Sequence, residues 1–264
     1  HMKQFLVTLS AFVLFQTTAL FAKDGYKIKI KFTDVTDSTV FLAHYYGKPL
    51  PTIYKTDSAK LDRNGFAILQ SEKETLGGIY ILLLSDKKTY LEFLLNNGDE
   101  FDMTITTSKL PLGVTFKNSI ENEGFIGYLK FLNDFGAKQQ ELNNQFNNAK
   151  NPSDSMASRN KLVAHAKTLS DYRRDYVAQH PKALLSSIFN GLEVPVVPEK
   201  GDVLPSGKKD SNFAYNYYKK HYWDHFNFKD DRIIHTPLYD AKIDEYMNKL
   251  VLPIPDSVIK EGDA

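Results

Sequence analysis

The spacing of apolar residues changes once along the chain, near Asn118. Before this point they alternate with polar residues in short runs, and after it they recur three and four residues apart. A period of two is typical of strands, and a period of 3.6 is typical of helices. The sequence therefore predicts an α+β fold, with an N-terminal antiparallel β-sandwich domain at 23–117 and an all-helical domain at 118–264.

Two runs define the predicted strands. In Tyr26–Phe32 the apolar side chains face one way, while Lys27, Lys29 and Lys31 face the other. We interpret these lysines as a solvated face rather than an anion-binding stripe. Gly78–Leu84 is apolar on both faces, which predicts a central strand.

Turn signals separate these strands. The dipeptides Asn64-Gly65 and Asn97-Gly98 suit tight turns that need a positive φ. The second of them predicts that Thr89–Leu95 pairs with Glu100–Thr106 as a hairpin. His44 lies among aromatic residues and is expected to be a half-buried strand histidine.

Helix boundaries are marked by capping residues and prolines in the second half. Asn118 with Glu121 forms a capping-box pattern. Asn151-Pro152 predicts the start of a second helix, and His180-Pro181 predicts its end. Thr236-Pro237 predicts another start by the same rule.

Both ends of the chain carry signals about its context. His1 precedes Met2 as a cloning remnant would, and the apolar run Phe5–Phe15 has secretory length, so residues 1–22 are predicted to be a signal peptide cleaved after Ala22. This places the mature protein in the periplasm or cell envelope, with no membrane span after cleavage. A last helix that begins at Pro255 is barely two turns long, which suggests that the native protein continues past Ala264.

Composition excludes several function classes. The 33 basic and 32 acidic residues give a net charge of +1, so no nucleic-acid partner is indicated. The chain has no cysteine, which excludes disulfides, thiolate catalysis and iron–sulfur clusters. No phosphate-binding loop or nucleophile motif is present, so we expect no cofactor and no catalytic residues.

The aromatic stretch 215–237 holds the only tryptophan and three of the seven histidines. His221 and His225 lie four residues apart, a helical spacing that suits zinc, and the run resembles H-x-x-E-H with Asp224 in place of glutamate. Aspartate reaches less far, and a third ligand would have to come from Asp231 or His235. A zinc hydrolase is therefore one alternative for this stretch.

Two other interpretations of the same stretch remain. Its aromatic residues recur at helical spacing, which predicts a buried helix seam. The residues of that seam are Tyr215, Tyr218, Tyr222 and Phe226. Alternatively, Trp223 could stack on a sugar, which predicts a glycan- or ligand-binding envelope module.

The mature chain resembles the N-terminal region of exported thioredoxin-like proteins of Gram-negative bacteria, thiol–disulfide oxidoreductases of the AhpC/TSA and TlpA/ResA type. The most specific matching segments are Tyr222–Phe228 and Asp231–Pro237. Weaker matching segments are Gly25–Ile30, Thr39–Tyr46, Gly65-Phe66, Gly77–Tyr80, Asn118–Phe125 and His180–Leu185.

The resemblance implies a β-sandwich domain and a helical domain, both of unknown function, ahead of a thioredoxin domain. The family's redox chemistry resides in a Cys-x-x-Cys motif of that last domain, and this chain has no cysteine to match it. No catalytic residue is carried over. The implied role is a non-catalytic accessory or interaction region, with a thioredoxin domain in cis or other envelope proteins as partners.

Overall fold

The computed structural model describes residues 24–48, 50, 52–199, 201 and 210–263. The predicted signal peptide and its cleavage after Ala22 lie outside the described residues. Within the described ranges no helix is long and apolar enough to cross a membrane.

The N-terminal part consists of two four-stranded sheets. One has the order β4-β1-β7-β8 and the other has the order β3-β2-β5-β6. Neighbouring strands are antiparallel, except that β1 and β7 are parallel. The α+β class and the N-terminal β-sandwich are thus confirmed, with one parallel pair that the alternation pattern does not predict. The strands are β1 (Tyr26–Phe32), β2 (Thr39–His44), β3 (Tyr54–Lys60), β4 (Phe66–Ser71), β5 (Gly78–Leu84), β6 (Tyr90–Leu95), β7 (Asp99–Ile105) and β8 (Val114–Lys117).

Both Asn-Gly turns form, but neither closes a hairpin. Gly65 and Gly98 have φ values of 74° and 84°. The strands before these turns, β3 and β6, belong to one sheet, and the strands after them, β4 and β7, belong to the other. The predicted pairing of Thr89–Leu95 with Glu100–Thr106 is therefore wrong. A positive φ serves a turn that crosses between sheets as well as one within a sheet, so the dipeptide does not distinguish them.

Strand β5 is buried on both faces, as predicted. Tyr80, Leu82 and Leu84 face the core between the two sheets. The alternate residues Ile79, Ile81 and Leu83 face a second core, which this sheet forms with the helices. The sheet that contains β5 therefore packs against the second sheet on one face and against the helices on the other.

The helical part contains six α-helices among the described residues. Two long helices form an antiparallel pair in which Phe131 stacks on Tyr172, with ring centroids 4.3 Å apart. The helices are α1 (Ile120–Asn147), α2 (Pro152–Gln179), α3 (Leu184–Gly191), α4 (Phe213–His221), α5 (Pro237–Lys249) and α6 (Pro255–Gly262).

The start of α1 differs from the predicted capping box by one residue. Its N-cap is Ser119, whose hydroxyl accepts the N–H of Asn122. Asn118 precedes it with a φ of 67°. For α2 the prediction is confirmed, because the Asn151 side chain accepts the N–H of Asp154 at 2.9 Å.

Asn122 completes the outer edge of strand β6. Its amide oxygen accepts the N–H of Leu94 at 2.7 Å, and its amide nitrogen donates to the Leu94 carbonyl at 2.8 Å. The side chain is fully buried. A single asparagine on α1 thus takes the hydrogen-bonding place of a further strand at this position.

The aromatic stretch is only partly helical. Helix α4 ends at His221, and residues 222–225 form a turn. The predicted inward stripe is therefore wrong for Tyr215, which is 42% exposed and donates its hydroxyl to the Leu250 carbonyl. Tyr222 and Phe226 are buried as predicted, although neither lies within the helix.

Candidate functional site

A short segment anchors the helical part to the sheet that contains β5. We call residues 230–236 the docked segment. It contains a 3₁₀ helix, Asp231–His235, capped by the Asp230 side chain. Ile233, His235 and Thr236 are buried. Thr236 then precedes Pro237 at the first position of α5, as the sequence predicts.

An arginine–aspartate pair fixes the docked segment. Arg232 donates from Nε and Nη2 to the two carboxylate oxygens of Asp230, at 2.7 and 2.8 Å. The guanidinium also donates to the Asn96 side chain at 3.1 Å, and Asp230 accepts the Ser187 hydroxyl at 2.5 Å. Burial opposes ionisation of Asp230, but Arg232 and the Ser187 hydroxyl together outweigh it and hold the pKa of this carboxyl below its usual value.

Two histidines stack where the docked segment meets the sheet. The rings of His44 and His235 have centroids 4.0 Å apart. His235 is 7% exposed, and its Nδ1 lies 3.3 Å from the Leu76 carbonyl. Burial and the neighbouring His44 lower the pKa of His235 to about 4, so it is neutral near pH 7. His44 is half-buried on β2, as predicted.

This burial makes stability depend on pH. Between pH 6.5 and about pH 4 the unfolded chain binds a proton at His235 that the folded chain does not bind. We expect the free energy of unfolding to fall as the pH falls through that window, by up to about 3 kcal/mol from this group. Urea unfolding at a series of pH values measures the effect.

His235→Phe is the matched variant for this prediction. Burial raises the pKa of Asp99 to about 6, which gives stability the opposite dependence on pH in the same range. The contribution of His235 is therefore the difference in unfolding free energy between the native protein and the variant. The effect of Asp99 is the same in both proteins and cancels from this difference. If the unfolding free energies of the two proteins differ by the same amount from pH 7 to pH 4, the prediction is wrong.

A pocket lies between the docked segment, the turn before it, the loop before β5 and the start of α5. We call it the junction pocket, and its volume is about 250 Å³. Apolar and aromatic side chains form most of its wall, and two carboxylates and an amide supply polar groups. Phe228 is 57% exposed. The lining residues are Leu76, Phe226, Asn227, Phe228, Asp230, Asp231, Ile233, Ile234 and Tyr239.

Only one histidine of the predicted zinc pair lies in a helix. His221 ends α4, where its Nδ1 lies 2.6 Å from Asp224 Oδ2, and His225 is exposed in the following turn. The premise that both share a helix face is wrong, because the helix ends before His225. His235 faces His44 instead. In the described part of the chain no group of three or more potential metal ligands comes together.

Trp223 lies behind the junction pocket. Its ring contacts Phe226 and Phe228, with centroids 5.5 and 5.1 Å away, and Tyr222 at 4.7 Å. It does not line the pocket itself. The predicted stacking residue thus supports two aromatic rings that do line it.

The residues that hold the docked segment follow no pattern in the sequence. Asn96, Ser187 and Asp230 are far apart in the chain, and their contacts depend on how the two parts pack. Gly77 and Gly78 are the one local signal, because a Cβ added at either position would lie within 3 Å of the docked segment. A Cβ added at Gly78 would lie 2.7 Å from the His235 main-chain oxygen.

Two family models match parts of the chain. Domain of unknown function (DUF4369) matches residues 26–125, and Domain of unknown function (DUF5106) matches residues 203–263. The first range ends inside α1, and the second contains the docked segment. The junction pocket takes Leu76 from the first range and its other lining residues from the second.

Other comparisons add little. No curated protein matches the chain. A solved structure titled "Crystal structure of (S)-allantoin synthase" is similar at 10% identity, over 37% of this chain and 45% of that one, with a TM-score of 0.26.

Proposed function

We propose that this chain is the non-catalytic accessory region of an exported, thioredoxin-like thiol–disulfide oxidoreductase of the periplasm or cell envelope. The segments with the most specific resemblance, Tyr222–Phe228 and Asp231–Pro237, form most of the junction pocket and the docked segment. The chain contains no cysteine, so the redox chemistry of such a protein would belong to another domain.

The hydrogen-bond network around Arg232 is the observation that best supports this role. It ties the docked segment to the turn after β6 through Asn96, and to the turn before α3 through the Lys182 carbonyl at 3.3 Å. Sheet and helices then act as one rigid support. A rigid support can hold a redox domain or its protein substrate in a fixed orientation, which lowers the entropy cost of the encounter.

The first test is the native gene. The proposal expects a Cys-x-x-Cys motif in the reading frame beyond the codon for Ala264, within a thioredoxin-like domain. A reading frame that ends there, or that continues without such a motif, would contradict it.

The second test separates the accessory role from the redox chemistry. In the full-length protein, Arg232→Met should slow the reduction of a protein disulfide by about tenfold, because the support loosens. The reduction of a small disulfide should be unchanged, since it needs the redox domain alone. Arg174→Met is the matched control, because Arg174 is exposed and, within the described residues, pairs with Asp171 on its own helix. If Arg232→Met slows the reduction of both disulfides equally, the accessory role is contradicted.

A glycan- or small-ligand-binding module is the second candidate, favoured by the junction pocket. Phe226, Phe228 and Tyr239 offer aromatic surface, and Asn227 and Asp231 offer hydrogen-bonding groups near it. Aromatic surface beside polar groups suits the apolar face and the hydroxyls of a sugar.

A glycan array tests the second candidate. Phe228→Ala should abolish any binding that the native protein shows, at little cost in stability, because the side chain is largely exposed. Phe66→Ala is the matched control, since Phe66 is 38% exposed on β4 and lies outside the pocket. Absence of binding by the native protein would remove this candidate.

A further inference from the structure

The outer edge of β6 presents main-chain groups that its own sheet does not use. β6 is the last strand of its sheet and pairs with β5. The N–H and C=O of Leu94 point away from β5, because the Asn122 side chain bonds both. Direction alternates along an antiparallel strand, so the N–H and C=O of Tyr90 and Glu92 point outward as well.

A groove runs along this part of the edge. We call it the edge groove, and its volume is about 400 Å³. Residues 88–92 line one side, and α1 together with the loop before β8 lines the other, through Thr107, Leu110, Pro111 and Leu129. The outward main-chain groups of Tyr90 and Glu92 therefore face a space with a largely apolar opposite wall.

The opposite edge of the same sheet lacks these properties. Strand β3 has a register shift against β2 between Leu42 and Ala43, and its exposed side chains include Lys55 and Lys60. Bulges and lysines are devices that keep an edge from pairing with another chain. β6 has one charged residue, Glu92, whose carboxylate accepts the Tyr45 hydroxyl.

We propose that the edge groove binds an extended segment of a partner polypeptide, which adds to β6 as a fifth strand. Its main chain bonds the outward groups of Tyr90 and Glu92, and its alternate side chains pack on the apolar wall. The charges of Glu92 and Lys88 determine which residues of the partner segment lie opposite them. A basic residue pairs with Glu92 and an acidic residue with Lys88, since opposite charges across strands stabilise the pair.

These positions define a probe peptide. The acetylated, amidated hexapeptide Lys-Val-Thr-Val-Glu-Val, bound antiparallel, places Lys opposite Glu92, Thr opposite Tyr90 and Glu opposite Lys88, with its valines toward the apolar wall. In the control peptide Lys-Val-Pro-Val-Glu-Val, proline removes the one main-chain donor opposite Tyr90. The surface is separate from the junction pocket, so its test does not depend on the proposed function.

Amide hydrogen exchange, followed by NMR, reports the binding residue by residue. In the free protein the Glu92 amide should exchange much faster than those of Phe93 and Leu94, which are bonded to β5 and Asn122. At millimolar probe peptide, exchange at Glu92 should slow by about tenfold or more, and the proline peptide should bind about fivefold to tenfold more weakly.

A variant of β6 tests the same contact from the protein side. Tyr90→Pro removes an N–H that points away from β5, so the sheet keeps its ladder, while binding of the probe peptide should weaken about fivefold to tenfold. Tyr90→Thr keeps the N–H and should bind within about threefold of the native protein.

Three results would overturn the proposal. The first is unchanged exchange at Glu92 with millimolar probe peptide. The second is equal binding of both peptides. The third is protection of Glu92 that rises with protein concentration in the absence of peptide, which would assign the edge to a second copy of this chain.

Discussion

Replacing Asn122 by leucine is expected to lower the free energy of unfolding by about 3 kcal/mol or more. Leucine has a similar size, but it leaves the N–H and C=O of Leu94 buried without partners, and each orphaned group costs roughly 1–3 kcal/mol. Because Asn122 is fully buried, water cannot replace the lost bonds. Urea unfolding followed by circular dichroism measures the change.

The control for this substitution lies on the same helix. Asn143 is exposed on α1, so Asn143→Leu should change stability by less than about 0.5 kcal/mol. Asn122→Asp is a second variant, which keeps the acceptor for the Leu94 N–H and loses the donor to its carbonyl. A loss for Asn122→Leu no larger than that for Asn143→Leu would show that the edge of β6 is satisfied in another way.

Gly78→Ala is expected to release the docked segment and to cost about 3 kcal/mol of stability. The added Cβ would lie 2.7 Å from the main-chain oxygen of His235, and a main-chain atom cannot rotate away as a flexible side chain can. Amides of the docked segment should then exchange faster with solvent, while those within β1 stay protected. Hydrogen exchange and urea unfolding measure the two effects.

The neighbouring glycine gives a matched control. The nearest atoms to a Cβ at Gly77 would be Cγ and Cδ of the Arg232 side chain, 2.8 Å away, rather than main-chain atoms of the docked segment, so Gly77→Ala should cost less than Gly78→Ala, about 1–2 kcal/mol. Gly136 lies within α1, and no described atom outside the backbone of this helix comes within 4 Å of an added Cβ, so Gly136→Ala should stabilise by about 0.5–1 kcal/mol. Equal losses at Gly77 and Gly78 would contradict close docking against the His235 main chain.

The sequence predicts the class of fold because local periodicity decides it. Alternation in Tyr26–Phe32 and the uniformly apolar Gly78–Leu84 give strands of the observed burial, and Asn151 starts α2 as predicted. The pairing of the strands, by contrast, does not follow from local periodicity. The turn at Asn97-Gly98 has the same local requirements whether the chain stays in one sheet or crosses to the other, so only the packed core decides between them.

The candidate site was harder to predict for a related reason. His221 and His225 stand out as a pair in the sequence, yet α4 ends between them. Asp230, Asn96 and Asn122 do not stand out, because their partners are contributed by other elements. The stretch around Trp223 nevertheless contributes to the candidate site, since Trp223 contacts two aromatic rings of the junction pocket.

The double burial of β5 has a consequence for how such a chain can evolve. Ile79, Ile81 and Leu83 on one face pack against the helical part, while the residues between them pack within the sandwich. A substitution on the helical face must be matched by the helices, whereas one on the other face must be matched by the second sheet. Exchanging one part alone between homologous proteins would therefore place one face of β5 against side chains with which it had not been packed, and a recombination point between the parts would separate β5 from one of its two sets of partners.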